Sequence, residues 1–161
     1  MDYSFRKYTF DEIYVPVSER FVIDEEHDLL AMKPIDEIPF PLNDGSIIAS
    51  VVRYYLLHYK FKRVLTVARA LNVDSRDLSS AVHILTDMNH DDLLRNYRLR
   101  AINELLTTTS LSNQCIASFF GYPKLHAFNR FLTDQTGLTA NEIRAGKSPD
   151  TKVKRLPWWK L

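Results

Sequence analysis

The chain has 161 residues, of which 45% are hydrophobic and 25% charged, as is usual in soluble globular proteins of one domain. Four scattered glycines and a single cysteine, Cys115, exclude a glycine-rich phosphate loop, an intrachain disulfide and a paired-cysteine zinc site. The net charge of +1 divides into −7 over residues 1–44, from 11 Asp/Glu and 4 Lys/Arg, and +8 over residues 45–161, from 17 Lys/Arg and 9 Asp/Glu.

The first 44 residues are predicted to be an acidic N-terminal arm with short strands. β-Branched and aromatic runs at 13–17 and 20–23 flank Ser18 and Glu19, which predicts a short hairpin, and residues 29–32 are a candidate third strand. Three prolines between positions 34 and 41 argue against helix and central strand alike. The turn residues Asn43, Asp44 and Gly45 then place a domain boundary near residue 44.

Beyond this boundary the hydrophobic period becomes helical, so the predicted fold class is mostly α. Apolar spacing and cap residues predict helices at 46–59, 64–71, 74–86, 89–106, 112–120, 124–135 and 139–144. A basic tail, residues 147–161, follows and carries Trp158 and Trp159 near its end. These two side chains either anchor the tail on the domain or bind a partner.

The helical region contains an internal duplication with an offset of 49 residues that becomes 50. The matching pairs are Ala68 and Ala117, Asn72 and Gly121, Leu78 and Phe128, Met88 and Leu138, Asn89 and Thr139, and Leu93 and Ile143. In each copy a helix with a small alanine ends at Asn or Gly, and a second helix with an apolar anchor follows. This is the pattern of a helix-turn-helix unit; each copy by itself also fits a plain helical hairpin.

Residues 46–146 resemble the DNA-binding domain of the AraC/XylS family of bacterial transcription regulators. The resemblance depends on a linker-helix segment, Leu94 to Leu106, and on a second-unit motif: Leu111-Ser112, Ile116-Ala117, Gly121-Tyr122, Phe128-Asn129-Arg130, Gly137-Leu138-Thr139 and Arg144. It implies two helix-turn-helix units, about 60–88 and 111–137, joined by a linker helix at 89–106. It also implies a sequence-specific regulator whose two units read successive major grooves of double-stranded DNA. RNA polymerase or another regulator is a further candidate partner.

The resemblance also implies the DNA-binding residues. They are Arg76, Ser79 and Ser80 in the first unit and Lys124, His126, Ala127, Asn129 and Arg130 in the second. Arg130 suits guanine, Asn129 suits adenine, and Lys124 suits phosphate, although Arg130 could instead pair with Asp134 four residues later.

The first unit departs from the family, which usually has Arg, Phe and Gly where Ser80, Val82 and Asp87 stand. Serine cannot make the two-pronged guanine contact of arginine, and Asp77 repels phosphate. The first unit is therefore expected to contribute more to positioning the protein on DNA than to recognising the base sequence. An alternative follows: a degenerate module that binds another protein, with the acidic arm as partner or as an autoinhibitory cover of the basic face.

Other functions find no support in the sequence. No nucleophile, metal-ligand or cofactor signature is present, so we expect neither an enzyme nor a bound metal or cofactor. No leader or membrane-length apolar run is visible, so we expect a cytoplasmic protein that does not contact membranes. Forty-four residues with three prolines are too few for a closed effector barrel, and we expect no small-molecule effector for this chain alone.

Overall fold

A computed structural model describes residues 7–58 and 64–146; the predicted tail with Trp158 and Trp159 lies outside them. Seven helices follow one another from residue 47 to residue 144, each within two residues of its predicted bounds. They are α3 (Ile47–Leu57), α4 (Val64–Leu71), α5 (Ser75–Thr86), α6 (His90–Thr108), α7 (Asn113–Phe119), α8 (Leu125–Thr136) and α9 (Ala140–Arg144). The predicted mostly α fold, with two helix-turn-helix units and a linker helix, is confirmed.

Side-chain caps set the starts of most of these helices. Each capping oxygen accepts from a backbone N–H of the first turn, one of the donors that has no partner within the helix. The caps are Ser46, Asp74, Asn89, Ser112 and Thr139. The helices α5 and α8 both end at a residue in the left-handed region, Asp87 with φ 60° and Gly137 with φ 77°.

The N-terminal region differs from its prediction. Residues 13–17 are not a strand; instead α1 (Phe10–Ile13) and α2 (Val17–Arg20) are short helices. Thr9 and Glu12 form a reciprocal capping box that begins α1, a signal present in the sequence as Thr-x-x-Glu. Pro34 precedes a single 3-10 turn at Ile35–Glu37, within the segment expected to avoid helix.

The hairpin of this region connects different strands from those expected. Strand β1 (Phe21–Asp24) pairs antiparallel with β2 (Leu29–Met32), in a register that places Phe21 opposite Met32 and Asp24 opposite Leu29. The strands predicted at 20–23 and 29–32 are therefore confirmed, whereas the hairpin around Ser18 and Glu19 was wrong. Its inner face carries the buried Phe21, while Val22 and Leu29 are exposed.

Two hydrophobic cores hold the chain, one for each helix-turn-helix unit. The first contains Val51, Leu78 and Val82 from α3 and α5, and the second contains Phe128 and Leu132 from α8. The N-terminal residues enter both cores. Their buried side chains are Tyr8, Phe10, Ile13, Tyr14, Val15 and Ile38 in the first and Val17 and Phe21 in the second.

Helix α6 passes through both cores and the N-terminal segment lies along it. The Tyr97 hydroxyl accepts from the Val15 N–H at 3.1 Å and donates to the Ile13 carbonyl at 2.9 Å. Three residues further on, Arg100 contacts Asp11 at 2.8 Å, and seven residues further on, Glu104 accepts from the Val17 N–H at 3.2 Å. Residues 7–23 are therefore packed against the linker helix rather than projecting from the domain.

None of the helices within the described residues is both long enough and apolar enough to cross a membrane.

Candidate nucleic-acid interface

In both helix-turn-helix units the turn between the two helices has the same backbone geometry. In the first, the Val73 N–H donates to the carbonyl of Ala68 at 3.0 Å; in the second, the Tyr122 N–H donates to the carbonyl of Ala117 at 2.8 Å. Both alanines are buried, which allows the following helix to approach closely. The residue at each helix end has positive φ, 56° at Asn72 and 92° at Gly121. Asparagine and glycine are the residues that accept this conformation most readily.

The second helix of each unit is fixed by a buried anchor. Leu78 on α5 and Phe128 on α8 are 1% and 0% exposed, and they stand 50 residues apart. With this offset, each exposed position on α5 has an equivalent on α8. The predicted site residues form three of these equivalent pairs: Arg76 with His126, Ser79 with Asn129, and Ser80 with Arg130.

The α8 surface brings together four of the five residues predicted for the second unit. Lys124 is the N-cap position, and it is exposed together with His126, Ala127 and Arg130. Within residues 7–58 and 64–146, Arg130 makes no ion pair with Asp134 or with any other carboxylate. Its guanidinium group is thus available to an external acceptor as far as those residues are concerned.

Asn129, the fifth residue, has a contact of its own within the domain. It is half-buried, and its Oδ1 accepts from the Ala140 N–H at 2.9 Å, at the first residue of α9. The amide oxygen thereby satisfies one of the unpaired donors at that helix start. Asn129 therefore connects α8 to α9, and an adenine contact would require it to share or release this bond.

The α5 surface has the same shape but a different charge. Arg76 and Ser80 are exposed and Ser79 is half-buried. Asp77 is also exposed and occupies the position of Ala127. Asp74, equivalent to Lys124, uses its side chain as the N-cap of α5. The first unit thus presents carboxylates at two positions where the second presents an ammonium group and a methyl group.

Residues outside the predicted set hold α8 in place. The Arg98 guanidinium on α6 donates to the Tyr122 hydroxyl at 3.0 Å, and the Tyr122 ring stacks on Phe131 with centroids 5.4 Å apart. Gln114 donates through Nε2 to Ser118 Oγ at 2.8 Å and spans the turn to the Pro123 carbonyl. Nothing in the sequence marks Gln114, since its role depends on the geometry of the turn.

Arg144 connects α9 to the loop that precedes α7. Its guanidinium group donates to the carbonyls of Leu106, Thr109 and Leu111 and to Asn113 Oδ1. Three unpaired carbonyls between the linker helix and the second unit are thereby satisfied by one side chain. The Arg144 of the sequence motif therefore positions the second unit.

The carboxylates of the hairpin contact the second unit away from α8. Glu25 accepts from the Ser110 N–H at 2.7 Å, and Asp28 accepts from the N–H and hydroxyl of Ser112 at 2.7 and 2.6 Å. Those two bonds from Ser112 lower the pKa of the Asp28 carboxyl. Among the described residues, no ion pair joins a carboxylate of residues 7–44 to α5 or α8. The same residues contain no group of three or more metal-ligating side chains.

A family model described as a helix-turn-helix domain matches residues 67–146. The C-terminal domain of AraT, a response regulator from Geobacillus stearothermophilus, is a similar solved structure, with 26% sequence identity and a TM-score of 0.48. The similarity covers 56% of this chain and 75% of that one. The comparison with curated proteins gave no match.

Proposed function

We propose, from the match of residues 67–146 to a helix-turn-helix family model, that this chain is an AraC-type DNA-binding transcription regulator, and we infer from the structure how it binds DNA. It is a sequence-specific reader of double-stranded DNA that places α5 and α8 in successive major grooves on one face of the duplex. The observation that carries the proposal is the exposed α8 surface of Lys124, His126, Ala127 and Arg130, opposite the buried Phe128. Such a surface on the second helix of the motif is the part that enters a groove.

The chemistry of this surface suits both kinds of DNA contact. Lys124, at the start of α8, is placed for a phosphate oxygen, and Arg130 has the donor geometry for O6 and N7 of guanine. Ala127 lies between them and leaves room for a base edge or a thymine methyl group. The His126 imidazole adds one hydrogen-bond donor or acceptor to the same face of α8.

The first unit is proposed to fix the register of the protein on the duplex more than to recognise the base sequence. Its exposed face offers one cation, Arg76, beside the carboxylates of Asp74 and Asp77. A hydroxyl at Ser80, where the second unit has Arg130, can bond a base or a phosphate but does not distinguish guanine by a two-pronged contact. Specificity therefore resides mainly in α8.

The N-terminal segment is proposed to keep the two units at a fixed separation. It contributes side chains to both cores and hydrogen bonds to α6 at Tyr97, Arg100 and Glu104. A double reader needs such coupling, because binding one groove then positions the other recognition helix without further loss of entropy. The acidic N-terminal segment is thus proposed to act by packing against both cores and α6.

The test is duplex selection from a random pool with the full chain, followed by fluorescence anisotropy over a salt series. Wild type should enrich a motif, and log affinity should fall linearly with log salt concentration, by about 0.9 for each phosphate neutralised. Arg130→Ala should lose discrimination at one base pair. Arg130→Lys keeps the charge and should lose the same discrimination if the contact is to guanine.

Two results would contradict the proposal. If Arg130→Lys binds like wild type while Arg130→Ala is weakened equally on every sequence, Arg130 contacts phosphate and does not read a base. Absence of any duplex binding at about 50 mM salt, a concentration at which phosphate contacts are strong, would favour the protein-binding alternative. Lys33→Gln, which changes one cation at the end of the hairpin, is the control for net charge.

A further inference from the structure

The hairpin of β1 and β2 buries one of its faces and exposes the other. The register places Val22 opposite Ala31, and Leu29 lies two residues before Ala31 on the same strand, so these three side chains share one face. All three are exposed, Val22 by 49% and Leu29 by 60%. The opposite face carries the buried Phe21, whose ring packs on Phe119 of the second unit. We call the exposed apolar face of Val22, Leu29 and Ala31 the hairpin patch.

The turn that connects the two strands is strongly acidic. It carries four carboxylates within five residues: Asp24, Glu25, Glu26 and Asp28. Glu25 and Asp28 accept hydrogen bonds from Ser110 and Ser112, which are neutral groups and leave the negative charges uncompensated. Within the part of the chain that the structure describes, no Lys or Arg side chain forms an ion pair with any of the four. A cationic segment close to the hairpin is therefore attracted to this turn.

The described chain ends beside the same turn. Arg144 of α9 and the two carboxylates Glu25 and Asp28 all bond to the loop 109–112 that joins α6 to α7. Burial lowers the pKa of Arg144, and the nearby Asp28 carboxylate opposes that shift. Gly146, the last described residue, follows Arg144 by two positions. The chain therefore leaves the described domain next to the acidic turn.

The composition of residues 147–161 complements the hairpin. This segment carries five Lys/Arg and one Asp, a balance of +4, interspersed with Val153 and Leu156 and followed by Trp158 and Trp159. Its cations match the acidic turn, and its apolar side chains match the hairpin patch. Fifteen residues span up to about 50 Å when extended, so length does not prevent contact with a hairpin that lies beside residue 146.

We propose that residues 147–161 dock on the β1–β2 hairpin of their own chain, with the Trp158 and Trp159 rings on the hairpin patch and the Lys/Arg side chains at the acidic turn. Covalent attachment makes this contact intramolecular, at an effective concentration on the order of millimolar, which favours the same chain over a second copy. Docking covers the apolar face that the domain leaves exposed. This inference goes beyond the proposed function and holds whether or not the chain binds DNA.

The protein carries its own probe of this contact. Trp158 and Trp159 are its two tryptophans, so tryptophan emission of the unmodified full chain reports on this segment alone. At low salt and without DNA, the emission maximum should lie at shorter wavelength than in urea-unfolded protein, and acrylamide should quench it less. Both properties should be independent of protein concentration. Emission equal to that of the unfolded chain would overturn the proposal, as would a shift that appears only at high protein concentration.

Two substitutions test the docking surface itself, with circular dichroism as the check that each variant stays folded. Leu29→Ser removes an exposed side chain of the hairpin patch and should move the emission to longer wavelength. Ile84→Ser, at a position of α5 that is 49% exposed, is the matched control and should leave the emission unchanged. Wild-type emission in Leu29→Ser would place the segment on another surface and contradict the assignment.

Charge reversal tests the acidic turn in the same way. Glu26→Lys should increase quenching by acrylamide and move the emission to longer wavelength, because the turn then repels the cations of the segment. Asp77→Lys makes the same change of net charge on α5 and should have no such effect. Equal responses of the two variants would show that net charge, and not the acidic turn, controls the tryptophan environment, and would overturn this part of the proposal.

Discussion

Thr86 and Thr136, 50 residues apart, make the same pair of hydrogen bonds at the ends of α5 and α8. Each hydroxyl donates to the carbonyl four residues before it, at 2.7 Å, and accepts from the N–H two residues after it, at 3.2 Å in the first unit and 3.1 Å in the second. Both side chains are buried. The duplication thus extends to individual hydrogen bonds.

Replacing either threonine by valine keeps the shape and removes both bonds. The N–H of Met88 or Leu138 then lacks its buried acceptor, so each variant should lose about 1–3 kcal/mol of unfolding free energy. Urea denaturation measures the two losses, which should agree because the environments match. Thr107→Val, at an exposed position of α6, is the control and should change little. A large loss at one threonine and none at the other would show that the two units are stabilised differently.

The equivalence of Ser80 with Arg130 allows the weak recognition surface to be strengthened. Ser80→Arg should increase DNA affinity and steepen the salt dependence by about 0.9, the value for one more phosphate neutralised. The reciprocal change, Ala127→Asp, gives α8 the carboxylate that α5 has at Asp77 and should weaken binding. Anisotropy titrations of both variants test this. Unchanged affinity and an unchanged salt slope in Ser80→Arg would mean that α5 does not face the duplex.

Tyr97 connects the N-terminal segment to the linker helix. Tyr97→Phe leaves the Val15 N–H and the Ile13 carbonyl without their buried partner, so unfolding free energy should fall by about 1–3 kcal/mol. Tyr54→Phe is the control, because that tyrosine is half-buried and packs beside His58. Equal stability of the two variants would show that the segment is held by its apolar side chains alone.

His90 gives the fold a defined sensitivity to acid. It begins α6, is buried, and has its Nε2 3.0 Å from the Tyr55 hydroxyl. Burial lowers its pKa below the usual 6.5, with Asp91 acting weakly in the opposite direction. As pH falls through 6.5, His90 becomes protonated in the unfolded chain but stays neutral in the folded protein. The free energy of unfolding therefore decreases by up to about 1.4 kcal/mol per pH unit.

The measurement is unfolding free energy by urea between pH 7.5 and the onset of carboxyl titration. His90→Gln should remove the decrease, whereas His83→Gln, at an exposed position of α5, should retain it. An unchanged slope in His90→Gln would assign the acid sensitivity to another group.

Much of the helical region was predictable because its signals are local. Cap residues such as Ser46 and Asp74, and the 50-residue offset from Leu78 to Phe128, define helix starts and the repeated unit without tertiary information. The contact of Asn129 with Ala140 was not predictable, since the same amide equally suits adenine. The partner of the Asn129 amide is decided by the approach of α9 to α8, which is a tertiary contact.

The N-terminal region shows the limit of the same reasoning. The β-branched run at 13–17 favours a strand by propensity, but tertiary packing of Ile13 and Val17 into separate cores overrides that preference. Its excess of acidic residues suggested an arm. Phe10 and Ile13 are buried three residues apart on one face of α1, and both contact Tyr97 of α6, so this segment is packed against the linker helix.

Two coupled units that read successive grooves of one duplex face require a fixed spacing between their half-sites, so a change of that spacing is the decisive test. With the selected duplex as reference, 5 bp are inserted between the two half-sites, which turns one half-site to the opposite face. Affinity should then fall to that of a single half-site, and a 10 bp insertion should not restore it, because two rigidly coupled units that span one helical turn, about 34–36 Å, cannot reach half-sites two turns apart. Unchanged affinity after either insertion would contradict the claim.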